Sequence, residues 1–192
     1  MLDAMSPVTT RRRAAALPLD ERRSMIIEAT IPLLLEHGEM VTTRQIADAA
    51  GIAEGTIFRA FADKDELLGA VIEAALDPAP LERGLAEIDP TLPLDEIVTQ
   101  AAALAQRRVV DVWRLATSVG TRFHDRKRPP MADSPVLTTL LEGHRGDLRH
   151  PPREAARMLR ALVFATSHPM MVERPAAPRE IAELFLHGME RS

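Results

Sequence analysis

One segment of the chain, TTRQIADAAGIAEGTIFRAF at residues 42–61, constrains the fold more than any other. Thr42 and Gln45 have the spacing of a capping box, in which a hydroxyl and an amide each bond the backbone at a helix start. Gly51 follows the helix that this box would begin. A left-handed backbone costs little only for glycine, so Gly51 is suited to end that helix in a sharp turn.

Small and apolar residues in the same segment fit two helices that cross closely. Ala47 leaves room for a second helix, and Ile52 and Ile57 can fill the angle between the two. A helix-turn-helix unit has this form and places its second helix in the DNA major groove. We therefore predict helices over about 43–50 and 54–60, the latter being the reader. The alternative is an ordinary helical hairpin inside a bundle.

Three consecutive stretches resemble the DNA-binding module of the tetracycline-repressor (TetR) family: RRSMIIEATIPLLLEHG (22–38), VTTRQIADAAGIAEGTIFRAF (41–61) and DKDELL (63–68). The resemblance covers about a quarter of the chain, from residue 20 to about residue 70. It implies an all-α protein with an N-terminal three-helix DNA-binding domain and a C-terminal helical ligand-sensing and dimerising domain. It further implies a ligand-responsive transcriptional regulator, expected to be a repressor that binds a palindromic operator as a homodimer and is released by a small molecule.

Composition agrees with a helical protein. Hydrophobic residues make up 46%, aromatic residues only 3%, and tyrosine is absent, so the core must consist of aliphatic residues and methionine. No strand pattern occurs. Cysteine is absent, which suits a reducing cytoplasm, and no apolar run approaches the ~20 residues of a membrane span. The short run after Arg11–Arg13 is too brief for a secretory signal, so we expect a bacterial cytoplasmic protein, nucleoid-associated when bound to its operator.

Periodicity and helix-end signals divide the chain into three parts. We predict a flexible basic tail (1–17), a DNA-binding domain (18–68) and a helical sensing and dimerisation domain (69–192). A bend or register change is expected at Pro32, inside the first helix. Nine helices are predicted: about 20–37, 43–50, 54–60, 63 to the DPAP break at 77–80, 81–88, 94 towards Phe123, one capped at Ser134-Pro135, about 152–168, and one from Pro178.

Polar and exposed positions of the helix-turn-helix are the candidate DNA contacts. Arg59 could read guanine in a bidentate pair or only hold a phosphate, and both readings stay open. Gly55 would allow the backbone to approach DNA closely. Lys64 is included because the family commonly has a phosphate-contacting lysine at the matching place. The predicted DNA-binding set is Thr42, Thr43, Arg44, Gly55, Thr56, Phe58, Arg59 and Lys64.

The negative charge of the chain indicates that DNA binding depends on where its few basic groups lie. The whole chain carries −4, and residues 18–68 contain five basic and ten acidic side chains, 5 − 10 = −5. Since phosphate neutralisation supplies most non-specific affinity, helix N-termini and a few basic groups must face DNA while the acids face away. The Arg11–Arg13 run is either a solvated tail or an arm that reaches the minor groove or the backbone.

Three positions depart from the family pattern. The family often has Ser, Tyr and His where Ala53, Phe58 and Ala60 stand. Each change removes a polar group that could bond phosphate or cap the reader helix, and an alanine cap costs about 1 kcal/mol relative to serine. We therefore expect few phosphate contacts per subunit and a strong dependence on the arginine tail.

The C-terminal half offers bulky and soft side chains for an apolar pocket, although each could equally be an ordinary core residue. An apolar or amphipathic effector is expected. The resemblance places the dimer interface on the last two long helices, 152–168 and 178–190, whose apolar stripes fit either an interface or an internal core. The predicted ligand-binding set is Trp113, Thr117, Phe123, Phe164, His168 and Met171.

Two other functional classes are alternatives to a DNA-binding regulator. A metal-dependent hydrolase could use the adjacent His124-Asp125, but His144, His150 and His168 have no ligand spacing that would complete its site. No Gly-rich phosphate loop or nucleophile motif occurs. We expect no catalytic residue, metal or cofactor. The remaining alternative is a helical binding protein that has lost its affinity for DNA.

Overall fold

The computed structural model describes residues 18–120 and 133–188, and these two segments contain α-helices, short 3-10 turns and no strand. The predicted all-α fold is confirmed. The nine α-helices of the described segments are α1 (Leu19–His37), α2 (Thr43–Ala50), α3 (Glu54–Ala60), α4 (Lys64–Leu76), α5 (Ala79–Ala86), α6 (Leu94–Ser118), α7 (Pro135–Glu142), α8 (Pro152–Ser167) and α9 (Pro178–His187).

Side-chain caps begin three of these helices where the sequence predicts them. The backbone N–H of Gln45 donates to Thr42 Oγ1 at 3.2 Å, and the N–H of Thr42 donates to Gln45 Oε1 at 2.8 Å, completing the capping box of α2. Asp63 Oδ1 accepts the N–H of Glu66 at 2.7 Å at the start of α4. Ser134 caps α7 in the same way. Each cap satisfies an N–H that has no partner inside its helix.

Helices α1 to α4 share a core with the C-terminal end of α6. Ile26 and Leu34 of α1 and Ile57 of α3 have no exposed surface, and they belong to the same buried cluster as Leu115 and Val119 at the end of α6. The first cluster is therefore not confined to the helix-turn-helix, since α6 also contributes to it. The domain boundary between residues 68 and 69 stays a prediction.

A second core joins α5 to α9. Ile97 and Ala102 of α6 pack in it with Leu141 of α7, Leu159 of α8 and Ile181 of α9. Helix α6 thus takes part in both cores, its N-terminal half in the second and its last turns in the first. A displacement of α6 can act on both.

Two predicted helix limits were wrong. Helix α5 begins at Ala79, two residues early, because Asp77 Oδ1 accepts the N–H of Ala79 at 3.0 Å and Pro80 is compatible with the first helical turn. Helix α6 ends at Ser118 instead of continuing towards Phe123, since Gly120 has a φ of 58° that a helix does not use.

Pro32 does not interrupt α1, which is assigned as one helix from Leu19 to His37. Its first turn carries Asp20 and Glu21, which favour the positive end of the helix dipole. Within the described segments, no helix combines the length and apolar character that crossing a membrane requires.

Candidate nucleic-acid interface and ligand cavity

The turn between α2 and α3 has the predicted glycine geometry. Gly51 adopts φ 65° and ψ 32°, the left-handed region. The N–H of Ile52 donates to Ala47 O at 3.0 Å, and the N–H of Gly51 donates to Asp48 O at 3.2 Å. These two bonds form a Schellman motif, which satisfies the last carbonyls of α2 and fixes where the chain leaves it. The direction of α3 therefore depends on this turn.

Helix α3 has one buried and one exposed face. Ile57 is fully buried and Ala60 nearly so, which holds the helix against the first core. Gly55 and Arg59 are exposed, Phe58 is 50% exposed, and Thr56 is half-buried. A large apolar side chain left this open is suited to contact with thymine methyl groups or sugars. The predicted reader helix thus presents a free surface, whereas its N-cap Ala53 supplies no side-chain bond.

The start of α2 lies beside the start of α3. Thr43 Oγ1 donates to Glu54 Oε1 at 2.6 Å, a bond that ties the two N-termini together. Thr42 is exposed, and its hydroxyl donates to Gln45 Oε1 at 2.9 Å, while Arg44 is exposed. Glu54 is absent from the predicted DNA-binding set. The sequence shows that Glu54 lies in the first turn of the reader helix. Its hydrogen bond with Thr43, eleven positions away, could be found only from the structure.

Lys64, at the start of α4, is fixed by the chain that connects α1 to α2. Its Nζ donates to the backbone oxygen of Glu39 at 2.7 Å, and the side chain is half-buried. An ammonium group has three donors. A phosphate could therefore use the remaining ones without breaking this contact.

A charged cluster that the sequence analysis missed secures the C-terminal end of α3. Arg23 of α1 lies 4.1 Å from the ring centroid of Phe61 and contacts the carbonyl of Ala60. Its Nη2 is 3.0 Å from Glu66 Oε1, and Glu66 Oε2 accepts the N–H of Ala62 at 2.6 Å. The Ala62 N–H, followed by Arg23, lowers the pKa of the Glu66 carboxyl. The cluster joins residues over 40 positions apart, beyond the reach of local patterns.

The arginine tail cannot be added to this surface. Arg11–Arg13 lie outside the described residues, and so do Phe123 and the pair His124-Asp125. Their predicted roles stay predictions.

A cavity of about 250 Å³ lies between α4, α5, α6 and α8. Three of the predicted ligand-binding residues line it, namely Trp113, Phe164 and His168. The His168 ring centroid is 4.5 Å from that of Trp113 and 4.6 Å from that of Phe164. Two arginines that the prediction omitted also line it, and the whole lining is Leu76, Leu81, Ala105, Arg108, Val109, Val112, Trp113, Ala116, Arg160, Val163, Phe164 and His168.

Two other predicted ligand residues lie elsewhere. Thr117 is exposed, and its Oγ1 donates to the backbone oxygens of Trp113 and Arg114 at 3.1 and 2.9 Å. Met171 is 63% exposed in the connection between α8 and α9. Neither contributes to the lining of this cavity.

The predicted dimerisation helices are only partly buried within the single chain. Helix α9 buries Ile181 and Ala182 and packs mainly against α6. Helix α8 buries Leu159 and Val163 but leaves Met158 and Phe164 about two-fifths exposed. Phe164 also lines the cavity, so Met158 is the large apolar group of the two that suits a further contact.

These features define a helix-turn-helix unit, and comparison with known families assigns that unit further. Residues 26–71 match the family model described as bacterial regulatory proteins of the tetR family. This match includes α2, α3 and most of α4. Residues 26–71 therefore form a DNA-binding module similar to that of the TetR family, as the sequence resemblance predicted.

Solved structures share the whole fold. A TetR-family regulator from Mesorhizobium loti is 17% identical with a TM-score of 0.55, covering 89% of this chain and 96% of that one. A TetR regulator from Streptomyces coelicolor is 20% identical with a TM-score of 0.53, covering 87% and 97%. The TetR-like regulator LfrR from Mycobacterium smegmatis, in complex with proflavine, is 19% identical with a TM-score of 0.51, covering 89% and 98%. At these identities the likeness concerns the fold.

Proposed function

We propose that this chain is a ligand-responsive repressor that binds a palindromic operator as a homodimer and releases it when a small molecule binds. The observation that carries the proposal is the exposed face of α3, held at a fixed angle by the Gly51 turn and packed on a core that α6 shares. It would act in the cytoplasm, and at the nucleoid when bound to DNA.

The DNA surface in this proposal consists of the exposed face of α3 and the starts of α2 and α4. Gly55, Thr56, Phe58 and Arg59 face the major groove. Thr42, Thr43, Arg44 and Lys64 hold the phosphates on either side, which fixes the register but carries no sequence information. The Thr43 hydroxyl already donates its hydrogen bond to Glu54. Thr43 would therefore bind phosphate through its backbone N–H.

The link between cavity and DNA surface runs through α4 and α6. Leu76, the last residue of α4, lines the cavity, while Lys64 begins the same helix. Ala116 of α6 lines the cavity and also belongs to the first core. A ligand that moves either helix changes the support of α3. Allosteric coupling of this kind is typically worth about 1–3 kcal/mol.

The small size of the DNA surface supports dimerisation in this proposal. One short reader helix contacts only a few base pairs, whereas two related by a two-fold axis can read half-sites about one helical turn or more apart. The exposed apolar side chain of Met158 on α8 supports an interface over 152–168 and 178–190. Residues 189 and 190 lie outside the described segments. Light scattering that finds a monomer at micromolar concentration would contradict this part.

The cavity supports a small-molecule effector, and the fold is known to hold one, since LfrR has been crystallised in complex with proflavine. The lining is mainly aliphatic and aromatic, which favours an effector with an apolar body. Trp113, Phe164 and His168 would contact that body. The predicted ligand contacts of Thr117, Phe123 and Met171 stay predictions, since the lining within the described segments does not include them.

The experiment is selection of the operator from random DNA with the purified full chain, followed by fluorescence anisotropy at several salt concentrations. An enriched palindrome bound by two chains is expected. Arg59→Gln should weaken binding, whereas Arg83→Gln, at an exposed arginine of α5, is the matched control. Deleting residues 1–13 should reduce the salt slope if the arginine arm contacts phosphate. No enriched sequence would refute the proposal and favour a helical binding protein without DNA affinity.

A further inference from the structure

The charged side chains that line the cavity indicate the charge of the ligand that it would bind. Its lining contains two arginines, Arg108 of α6 and Arg160 of α8, and no acidic side chain. The other residues are aliphatic or aromatic apart from His168. An apolar cavity with cationic groups matches a molecule with an apolar body and one anionic end.

Both guanidinium groups are partly removed from water. Burial lowers the pKa of Arg108, while the charge of Asp77 raises it and the charge of Arg160 lowers it again. Burial likewise lowers the pKa of Arg160, with Glu82 and Asp133 acting in the opposite direction. Both guanidinium groups belong to side chains that line the same cavity, and the charge of Arg160 acts on Arg108. An anion bound in the cavity that both line would offset part of their desolvation penalty.

The acids around these arginines are partly engaged elsewhere. Asp133 holds Arg153 and lies 3.6 Å from Arg157, and Glu82 Oε2 accepts the N–H of Val136 at 3.1 Å. Asp77 uses Oδ1 to accept the N–H of Ala79. None of the three lines the cavity, so the arginines supply the only formal charge among the side chains that line it.

Cavity size restricts the apolar body. A cavity of about 150 Å³ is known to hold benzene, so about 250 Å³ accommodates one ring with a short acidic side chain. The rings of Trp113, Phe164 and His168 lie together on one side of this space. Aromatic rings pack favourably against an aromatic or aliphatic body.

We propose that the cavity binds a small organic monoanion, a carboxylate in the first instance, whose charged end lies at Arg108 and Arg160 and whose apolar body lies against Trp113. Arginine suits this role because its planar guanidinium forms two parallel hydrogen bonds with a carboxylate. The inference rests on the proposed effector function and adds the charge of the effector to it.

The test uses three probes with the same apolar body. Phenylacetate, phenylethanol and phenylethylamine carry a negative, neutral and positive end on a benzyl group. None absorbs where tryptophan is selectively excited, and Trp113 is the only tryptophan of the chain, so its fluorescence reports cavity binding in the full-length protein. Phenylacetate should bind saturably and at least about tenfold more tightly than either analogue, as expected for a charge-assisted hydrogen bond.

Variants assign the effect to the two arginines. Arg108→Met and Arg160→Met keep an unbranched apolar stem and remove the charge, and each should weaken phenylacetate binding about tenfold without weakening phenylethanol binding. Arg107→Met, at the exposed neighbour on α6, should leave both unchanged. Thermal unfolding of each variant separates loss of the charge from loss of the fold.

The outcomes separate this inference from the proposed function. Equal binding of all three probes, or preference for the alcohol or the amine, overturns the anion proposal and leaves an effector cavity in place. Equal weakening by the Arg107 and Arg108 variants also overturns it, as does failure of all three probes to bind. The regulatory function itself fails only if operator selection yields no DNA sequence.

Discussion

Replacing Gly51 with alanine tests whether the left-handed turn sets the geometry of the reader helix. A Cβ built at Gly51 meets no atom within 4 Å, so the cost is purely that of the backbone at φ 65°. A non-glycine residue in this region is strained by about 1–2 kcal/mol. Alanine recovers about 0.4–1 kcal/mol by restricting the unfolded chain. Gly51→Ala should therefore destabilise the protein by roughly 1 kcal/mol.

Urea unfolding at neutral pH measures this free energy, and thermal unfolding should show a fall of about 2–4 °C for a chain of this size. Gly51→Asn should cost less, since asparagine tolerates the left-handed region. Gly55→Ala is the matched control, because it adds the same atom in open space at a helical position. Equal stability of Gly51→Ala and wild type, or an equal cost for asparagine, would refute the argument that backbone strain decides this position.

Three further predictions concern the same module. Gly55→Ala should stabilise the protein by up to about 1 kcal/mol while weakening operator affinity several-fold, and unchanged anisotropy would remove Gly55 from the DNA surface. Thr42→Ala should cost about 1 kcal/mol in urea unfolding through loss of the capping box; no cost would mean that water replaces the cap. Glu66 has a depressed pKa in the folded state, so its contribution is present above its ordinary value of 4.5 and disappears as pH falls through the lower folded value. Glu66→Gln should therefore lower the urea midpoint at pH 7 but not near pH 2, and an equal loss at both would contradict the charge-based explanation.

The features that the sequence predicted correctly depend on interactions between residues close together in the chain. The capping box at Thr42, the carboxylate cap at Asp63 and the glycine turn at Gly51 each depend on residues within five positions of one another. Such interactions repeat wherever the same spacing occurs, so a single sequence is sufficient to find them.

Contacts between distant residues could not be predicted in the same way. Arg23 meets Glu66 only because α1 and α4 pack side by side, and Arg108 and Arg160 line one cavity only because α6 and α8 pack together. An arginine on a predicted helix is usually a solvated surface group. The two arginines of the cavity could therefore not be predicted from the sequence. Its aromatic residues could be, because aromatic residues are rare in this chain.

The connection between α1 and α2 supplies a second physical route from the sensing half to the DNA surface. Its short turn, Gly38–Met40, lies between α4 and α6: Glu39 O accepts the Lys64 ammonium, and a Cβ on Gly38 would lie 3.3 Å from Ser118 O at the end of α6. The turn therefore lies close to the end of α6, so a movement of α6 towards it would displace it. The same turn holds the side chain of Lys64, which is predicted to contact phosphate. An effector that shifts α6 would therefore change this phosphate contact as well as the angle of α3. Gly38→Ala would crowd Ser118 O and strain the backbone at φ 59°, so it should change how far effector lowers operator affinity; an unchanged effector response would contradict this route.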